Sequence, residues 1–174
     1  FNVDGADYRT VPEIDLTQLR VAISVDFGWA PVEHGIRDTF EKRLARFQSI
    51  FKSCARFDPN IENALDVFWV LRGVQFLASH LARYRQHRDQ IGPNIVANVE
   101  AGLKMTSEEI AWAHGEHTRL YRQFQTMFAD YDVLITPGQP ITPTPVEQRN
   151  VTEVNNVPMK NYMHASALTS SLTL

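Results

Sequence analysis

The stretch that decides the fold reads Phe128-Ala-Asp-Tyr-Asp-Val-Leu-Ile-Thr-Pro-Gly-Gln-Pro140. Its centre, residues 132–136, is a short and nearly continuous apolar run, which is typical of a β-strand buried on both faces. Prolines follow at positions 137, 140, 143 and 145, and proline fits neither a helix interior nor a central strand. The stretch therefore predicts a buried strand that ends in an irregular loop.

Two further strands are predicted upstream. Apolar residues at positions 19, 21, 23 and 25 alternate with residues that are smaller or more polar. This period-two pattern predicts a strand over residues 19–25 with one face on a core. A second short strand is predicted near residues 54–57, where the run ends at Asp58-Pro59.

Long helices are predicted between these strands. An apolar stripe with three- and four-residue steps indicates a helix over residues 31–51, with Pro31 in its first turn. Others are expected over residues 60–85 and 106–129, the latter opened by Thr106 and Glu109 at capping-box spacing. A short helix closed by Gly102 is predicted over residues 94–101. Residues 160–172 have moderate helical character.

The predicted fold class is α/β, namely a fragment of a mixed sheet with several long helices, helix-rich overall. Residues 19–25 and 132–136 should lie in one sheet. Parallel pairing is favoured, because long helical segments connect the strands. Residues 1–18 are polar and turn-rich, so they are interpreted as a linker or surface arm, and residues 19–174 as one domain.

The second long helix is unusually apolar. Between residues 64 and 78 only Asp66 and Arg72 are charged, so apolar side chains cover most of the circumference. Such a helix is buried on several sides. We therefore expect it to associate with another surface, and a homo-oligomer is one form of that expectation. Gly73 in its middle predicts close packing or a bend.

Composition excludes several classes of protein. Of the 174 residues, 44% are hydrophobic and 21% charged, and the net charge is −3. That balance argues against a general nucleic-acid binder, which needs a basic surface. No run of about 18 apolar residues predicts a membrane span. The single cysteine, Cys54, cannot form an internal disulfide, so a cytoplasmic location is expected.

Two pairs of residues resemble catalytic or metal motifs. Ser170-Ser171 lacks the flanking glycines that usually expose a nucleophilic serine, so an ordinary helical pair is the better interpretation. His114 and His117 are three apart, whereas the helical zinc pairing needs a spacing of four. They are interpreted as packed or interface histidines on the apolar stripe of their helix.

The remaining candidates are also interpreted as structural. Cys54 is expected to be half-buried and unreactive, and the basic residues at positions 83, 85, 87 and 88 suit a solvated helix C-terminus. The glycines are scattered and form no phosphate-binding loop. The sequence therefore predicts no cofactor and no metal site.

An ordered set of segments resembles the amidase signature family. It comprises residues 19–28, 30–37, 87–89, 95–102, 128–140 and 161–173. The last of these is similar to the family's helix before a threonine-glycine-proline segment. The resemblance spans roughly residues 15–174. It implies an enzyme that hydrolyses or transfers amide groups and takes a small amide as substrate.

The resemblance also implies where the chemistry lies. The family uses a serine nucleophile, a second serine in a glycine-rich segment, and a lysine, and no residue here matches them, so no catalytic residue is assigned. The loop residues Pro137, Gly138, Gln139 and Pro140 are candidates for the substrate-pocket wall. The chain opens without a methionine and stops inside the apolar run 171–174. We therefore expect the C-terminal portion of an amidase-family hydrolase, inactive alone.

Two alternatives stay open at this point. The three long helices and the apolar segment 64–78 also fit a non-enzymatic helical interaction module that docks a partner helix. If the chain is part of an amidase, the sequence does not distinguish a hydrolase from an ammonia-transferring amidotransferase.

Overall fold

A computed structural model describes residues 5, 9–10, 13–148 and 150–174 of the chain. Across these residues the main sheet has three parallel strands in the order β2-β1-β3. They are β1 (Arg20–Ile23), β2 (Ser53–Arg56) and β3 (Val133–Ile135). The expected strands near 19–25, 54–57 and 132–136 are thus all present, and their parallel pairing is confirmed.

Five α-helices surround the sheet in the described part of the chain. They are α1 (His34–Phe47), α2 (Ala64–His87), α3 (Pro93–Leu103), α4 (Ser107–Asp130) and α5 (Ala167–Leu172). Antiparallel pairing is confined to a small hairpin of β4 (Glu153–Val154) and β5 (Val157–Pro158). The predicted helix-rich α/β class is confirmed. The arm expected over residues 1–18 lies largely outside the described residues; within it, Leu16–Gln18 forms a 3-10 turn.

β1 is buried on both faces. Val21 and Ile23 pack with Leu44 of α1 on one face. On the other face Ala22 is fully buried and Ser24 is only 1% exposed. The sequence predicted one face on a core, and the structure buries the other face as well. The reason is the central position of β1 in a sheet that carries helices on both sides.

The segment after β1 begins with a tight loop. Phe27 and Gly28 have φ values of 56° and 78°, and the amides of Trp29 and Ala30 donate to the Asp26 carbonyl. Left-handed backbone does not continue into a helix. Glu33 still lies outside the helical region, with a φ of −53° and a ψ of 141°. α1 therefore begins at His34, three residues beyond the predicted start at Pro31.

α2 and α3 approach closely through two glycines. A Cβ on Gly102 would lie 2.9 Å from the carbonyl oxygen of Gly73, and one on Gly73 would lie 2.5 Å from Cε of Met105. The close packing predicted at Gly73 is confirmed. Gly102 does not close its helix as predicted, because α3 runs on to Leu103 and uses this glycine for contact with α2.

α4 begins with the predicted capping box. The amide of Glu109 donates to Oγ1 of Thr106 at 3.1 Å, and the amide of Thr106 donates to Oε2 of Glu109 at 2.7 Å. The buried stripe of the helix comprises Ala113, Leu120 and Met127. Of the other apolar residues of the helix, Ile110 and Phe124 also pack against the core, whereas Tyr121 and Phe128 remain exposed.

α2 is covered mainly by this chain's own helices, since α3, α4 and α5 all pack against it. Within the described residues none of its large apolar side chains is among the exposed ones. None of the described helices is both long and apolar enough to cross a membrane. At the C-terminal end, helical structure is limited to the 3-10 turn His164–Ser166 and α5, which is shorter than the expected helix over 160–172.

Candidate functional site

The carboxyl ends of β1, β2 and β3 meet at one edge of the sheet. Three loops leave this edge, over residues 24–33, 57–63 and 136–152. In open parallel sheets, ligands bind in the crevice outside the carboxyl ends of the strands. This edge is therefore the candidate site, and the predicted pocket-wall residues lie on one of its loops.

The loop after β1 is held by buried hydrogen bonds. Oγ of Ser24 donates to Oδ1 of Asp58 at 2.5 Å and accepts from the amide of Phe27 at 2.8 Å. The carboxylate of Asp26 accepts from the amide of Gly28 at 2.9 Å and forms an ion pair with Arg37. These bonds hold Phe27 in its left-handed conformation and make this side of the site rigid.

Of the four predicted pocket-wall residues, the two outer ones are buried and the two inner ones are exposed. Pro137 and Pro140 are buried, whereas Gly138 and Gln139 are exposed. Gln139 lines a shallow cavity of about 450 Å³ together with residues 141–144. No atom lies within 4 Å of a Cβ built on Gly138, so the backbone there borders open space. The loop thus presents one flexible amide side chain between two fixed prolines.

Glu33 holds this loop against the start of α1. Its backbone amide donates to the Pro140 carbonyl at 2.8 Å, and its Oε2 accepts from the Thr142 amide at 2.8 Å. Asn155, in the β4–β5 turn, donates from Nδ2 to the Val32 carbonyl at 2.8 Å. Its Oδ1 accepts from the amide of His34 at 3.3 Å. The loops after β1 and β3 and the hairpin are therefore joined at the N-terminus of α1.

Two buried polar atoms near this edge have no hydrogen-bond partner among the described residues. They are Oγ1 of Thr136, at the end of β3, and Nε1 of Trp29, in the loop after β1. An unsatisfied buried donor or acceptor costs about 1–3 kcal/mol. Sequence reasoning missed them, although Thr136 is the last residue of the predicted strand 132–136 and Trp29 lies in the loop after the predicted strand 19–25.

The ring of His164 packs against Trp29 near this edge of the sheet. The two rings are stacked with their centroids 6.5 Å apart, and His164 is only 8% exposed. Burial, with the Lys160 charge as a lesser cause, lowers the pKa of His164 below its usual value. Nδ1 accepts from the backbone amide of Lys160 at 3.1 Å. The neutral ring therefore carries its proton on Nε2.

The serine pair of α5 has no catalytic geometry. Ser170 and Ser171 are buried, and their hydroxyls donate to the carbonyls of Ser166 and Ala167, each at 2.6 Å. This is ordinary hydrogen bonding to the preceding helical turn. The interpretation of an ordinary helical pair fits the structure.

The two histidines of α4 differ in burial. His114 is exposed and His117 is half-buried, so packing within the chain covers part of His117, while an interface role for His114 stays a prediction. The helix packs through Ala113 and Leu120. Nowhere in the described ranges do three or more histidine, cysteine, aspartate or glutamate side chains gather at a metal-binding distance.

The other candidates have structural surroundings. Cys54 is half-buried on β2, and burial raises the pKa of its thiol, which opposes reactivity. At the basic C-terminal end of α2, Arg88 bonds Glu100 at 2.8 Å and lies 5.8 Å from the ring of Tyr84. Arg88 and then Tyr84 lower the pKa of the Glu100 carboxyl.

The sequence is similar to one component of an amidotransferase. It is 21% identical, over 187 aligned positions that include 92% of this chain, to a glutamyl-tRNA(Gln) amidotransferase subunit from Caldanaerobacter subterraneus subsp. tengcongensis. The aligned region is 37% of that protein. No family model matches the chain.

Two solved structures share the fold. One is a bacterial aryl acylamidase of the amidase signature enzyme family, with a TM-score of 0.76 and 15% identity, covering 91% of this chain and 35% of that one. The other is an amidase, with a TM-score of 0.78 and 19% identity, covering 90% of this chain and 36% of that one. The resemblance to the amidase signature family is thus confirmed. The chain spans little more than a third of these relatives.

Proposed function

We propose that this chain, with its amidase signature fold, is part of an enzyme that hydrolyses carbon–nitrogen amide bonds. It contributes scaffold and part of the substrate-pocket wall. One observation carries the proposal: a sequence relative and two structural relatives, each matched over at least 90% of this chain, are named for amide chemistry. An acylamidase and an amidase both point to hydrolysis.

The loop after β3 is the part of the site that we assign to the pocket wall. Glu33 holds the backbone at Pro140 and Thr142, directly after Gln139, and Pro137 and Pro140 are buried. A wall held in place in this way positions a substrate without further ordering cost. The exposed Gln139 side chain carries both a donor and an acceptor, which match the two polar groups of an amide substrate.

The chain alone should be inactive on amides. A serine nucleophile needs an adjacent base or an equivalent means of activation. Among the hydrogen bonds of the described residues, Ser24 is the serine whose hydroxyl meets a titratable side chain. That hydroxyl is buried and committed to Asp58 and Phe27. We infer that the reacting groups come from polypeptide outside these 174 residues.

The name of the sequence relative supports a second activity, the transfer of ammonia from an amide to an acceptor. Hydrolase and transferase are distinguished by their products. Release of ammonia from a simple amide without any acceptor indicates hydrolysis. Ammonia release that depends on an acceptor indicates transfer. The alternative of a non-enzymatic helical module is not favoured, since the three relatives described above are all named for amide chemistry.

The test uses two proteins. The purified 174-residue chain should show neither amide turnover nor labelling by a fluorophosphonate. The protein encoded by the whole reading frame should show both. In that protein, Gln139→Ala should raise KM for a simple amide roughly tenfold, which corresponds to the loss of one hydrogen bond of about 1.4 kcal/mol.

Gln125→Ala is the matched control, because Gln125 is an exposed glutamine on α4. Turnover by the chain alone that survives the double substitution Ser170→Ala and Ser171→Ala would show that our location of the chemistry is wrong. Equal KM values for the Gln139 and Gln125 variants would remove the loop from the pocket wall.

A further inference from the structure

Arg72 is a charged residue in the middle of the most apolar segment of the chain. Residues 64–78 of α2 contain one other charged residue, Asp66. Four of the described arginines are half-buried, namely Arg20, Arg37, Arg72 and Arg119. Three of them pair with a carboxylate, whereas Arg72 forms no ion pair with any described residue. A charge that is partly withdrawn from water is normally paired, so Arg72 is suited to an anionic partner.

The guanidinium of Arg72 is held in a fixed orientation. Its Nη1 donates to Oδ1 of Asn98, which is only 5% exposed and is itself bonded to the Asn94 carbonyl and the Tyr162 hydroxyl. The guanidinium carbon lies 4.2 Å from the centre of the Phe76 ring and 5.6 Å from that of Tyr162. An arginine has five N–H donors, and the described residues use one of them here. The remaining donors are therefore available to a ligand, and little entropy is lost in ordering the side chain.

Arg72 lines a cavity of about 460 Å³ beside α2. The lining combines hydrogen-bonding side chains with apolar ones, including His80, His117, Phe68 and Leu71. The described residues that line it include no aspartate or glutamate. A cavity of this size holds a small molecule. This lining matches a molecule with an anionic end and an apolar body.

We propose that this cavity binds a small carboxylic acid with an apolar body, of the arylalkanoate class. The remaining N–H groups of Arg72 bind the carboxylate, and the ring N–H groups of His80 and His117 are further donors in the same cavity. The apolar body lies against Phe68 and Leu71, where its burial is favourable. Inorganic phosphate would leave these apolar side chains in water, so an organic acid fits the cavity better.

The first test measures binding to the protein encoded by the whole reading frame by isothermal titration calorimetry. The probe is 3-phenylpropionate, and 3-phenylpropanol is the matched probe without a charge. We expect the acid to bind with a Kd below about 1 mM. The alcohol should bind at least about tenfold more weakly, because it loses a hydrogen bond between two charged groups. No measurable binding of the acid, or equal affinity for the alcohol, would overturn the proposal.

A second test places the binding site in this cavity. Gln75 is exposed and lines the cavity one helical turn from Arg72. Gln75→Glu supplies a carboxylate that pairs with the guanidinium and repels the ligand. The affinity for 3-phenylpropionate should fall roughly fivefold, the effect of one like charge close to the ligand in water. Gln86→Glu is the matched control, since Gln86 is exposed on the same helix and does not line the cavity. Equal affinities of the two variants would mean that the acid binds elsewhere.

A third test removes the charge of Arg72. Arg72→Gln should weaken binding of 3-phenylpropionate by about tenfold or more, and Arg122→Gln, at an exposed position on α4, should leave it unchanged. Natural affinity in the Arg72 variant would overturn the proposal. Circular dichroism shows whether that variant is folded, and if it is not, the comparison of Gln75→Glu with Gln86→Glu decides. None of these readouts depends on amide turnover, so their failure would leave the proposed function untouched.

Discussion

The two outer strands of the sheet pair with the same central strand but differ in chemistry. β2 reads Ser-Cys-Ala-Arg, is mostly exposed, and carries an ion pair between Arg56 and Glu41. β3 reads Val-Leu-Ile and is half-buried throughout. Charge protects one edge from further pairing, whereas the other edge is apolar and lies beside an open groove. The comparison shows that a strand at the edge of a sheet need not have the charged sequence that is typical of edge strands.

The largest expected effect contrasts one position on each outer strand. Ala55 of β2 and Leu134 of β3 both lie opposite Ala22. Leu134 packs against the main core, whereas Ala55 is exposed. Leu134→Asp should lower the free energy of unfolding by about 2–4 kcal/mol, because it places a charge against apolar side chains.

Ala55→Asp should change the free energy of unfolding by less than about 0.5 kcal/mol. Urea unfolding of the purified chain measures both effects. Equal losses at the two positions would mean that the outer strands do not differ in burial as the structure indicates.

A second prediction compares a closely packed glycine of one helix with an exposed glycine of another. Gly102→Ala should cost about 1–3 kcal/mol, because the added methyl group meets the backbone oxygen of Gly73. Gly115→Ala on α4 meets no atom within 4 Å and should stabilise the chain by up to about 1 kcal/mol through helix propensity. Thermal unfolding of the two variants checks the signs. A stabilising Gly102→Ala would show that the α2–α3 contact is looser than described.

The smallest expected effect concerns the start of β3. Asp132 bonds Arg20 through both oxygens and accepts from its amide at 2.8 Å. These hydrogen bonds lower the pKa of Asp132 to about 2. An aspartate in the unfolded chain titrates near 3.9. The stabilisation is therefore fully present above about pH 4, and it is lost as the pH falls towards about 2.

Asp132→Asn should remove this part of the pH dependence and leave the rest unchanged. Denaturant unfolding between about pH 2 and 6 measures the difference, with Asp130→Asn as the control on the neighbouring, exposed position. Parallel pH profiles for the natural chain and the Asp132 variant would contradict the assignment.

Local signals in the sequence were reliable where neighbouring residues alone decide the structure. Thr106 and Glu109 predicted a capping box that forms with both of its hydrogen bonds. The apolar run at 132–136 predicted β3, and Gly73 predicted close packing. Each of these depends on the residues within a turn or on the size of one side chain.

The candidate site was foreseen in part. The position of Pro137, Gly138, Gln139 and Pro140 on a loop after an apolar strand followed from the sequence, while their role as a pocket wall stays a proposal. The bonds of Glu33 to that loop could not be foreseen, because more than 100 residues separate the partners in sequence.

What the sequence by itself determined about this protein is the type and order of most elements, because hydrophobic period and capping act over a few residues. Tertiary structure alone decided which apolar residues are covered. Ser24 is buried because β1 is central, and Tyr121 is exposed because α4 packs through Leu120 and Met127. Burial depends on which elements meet across the fold, and no single segment contains that information.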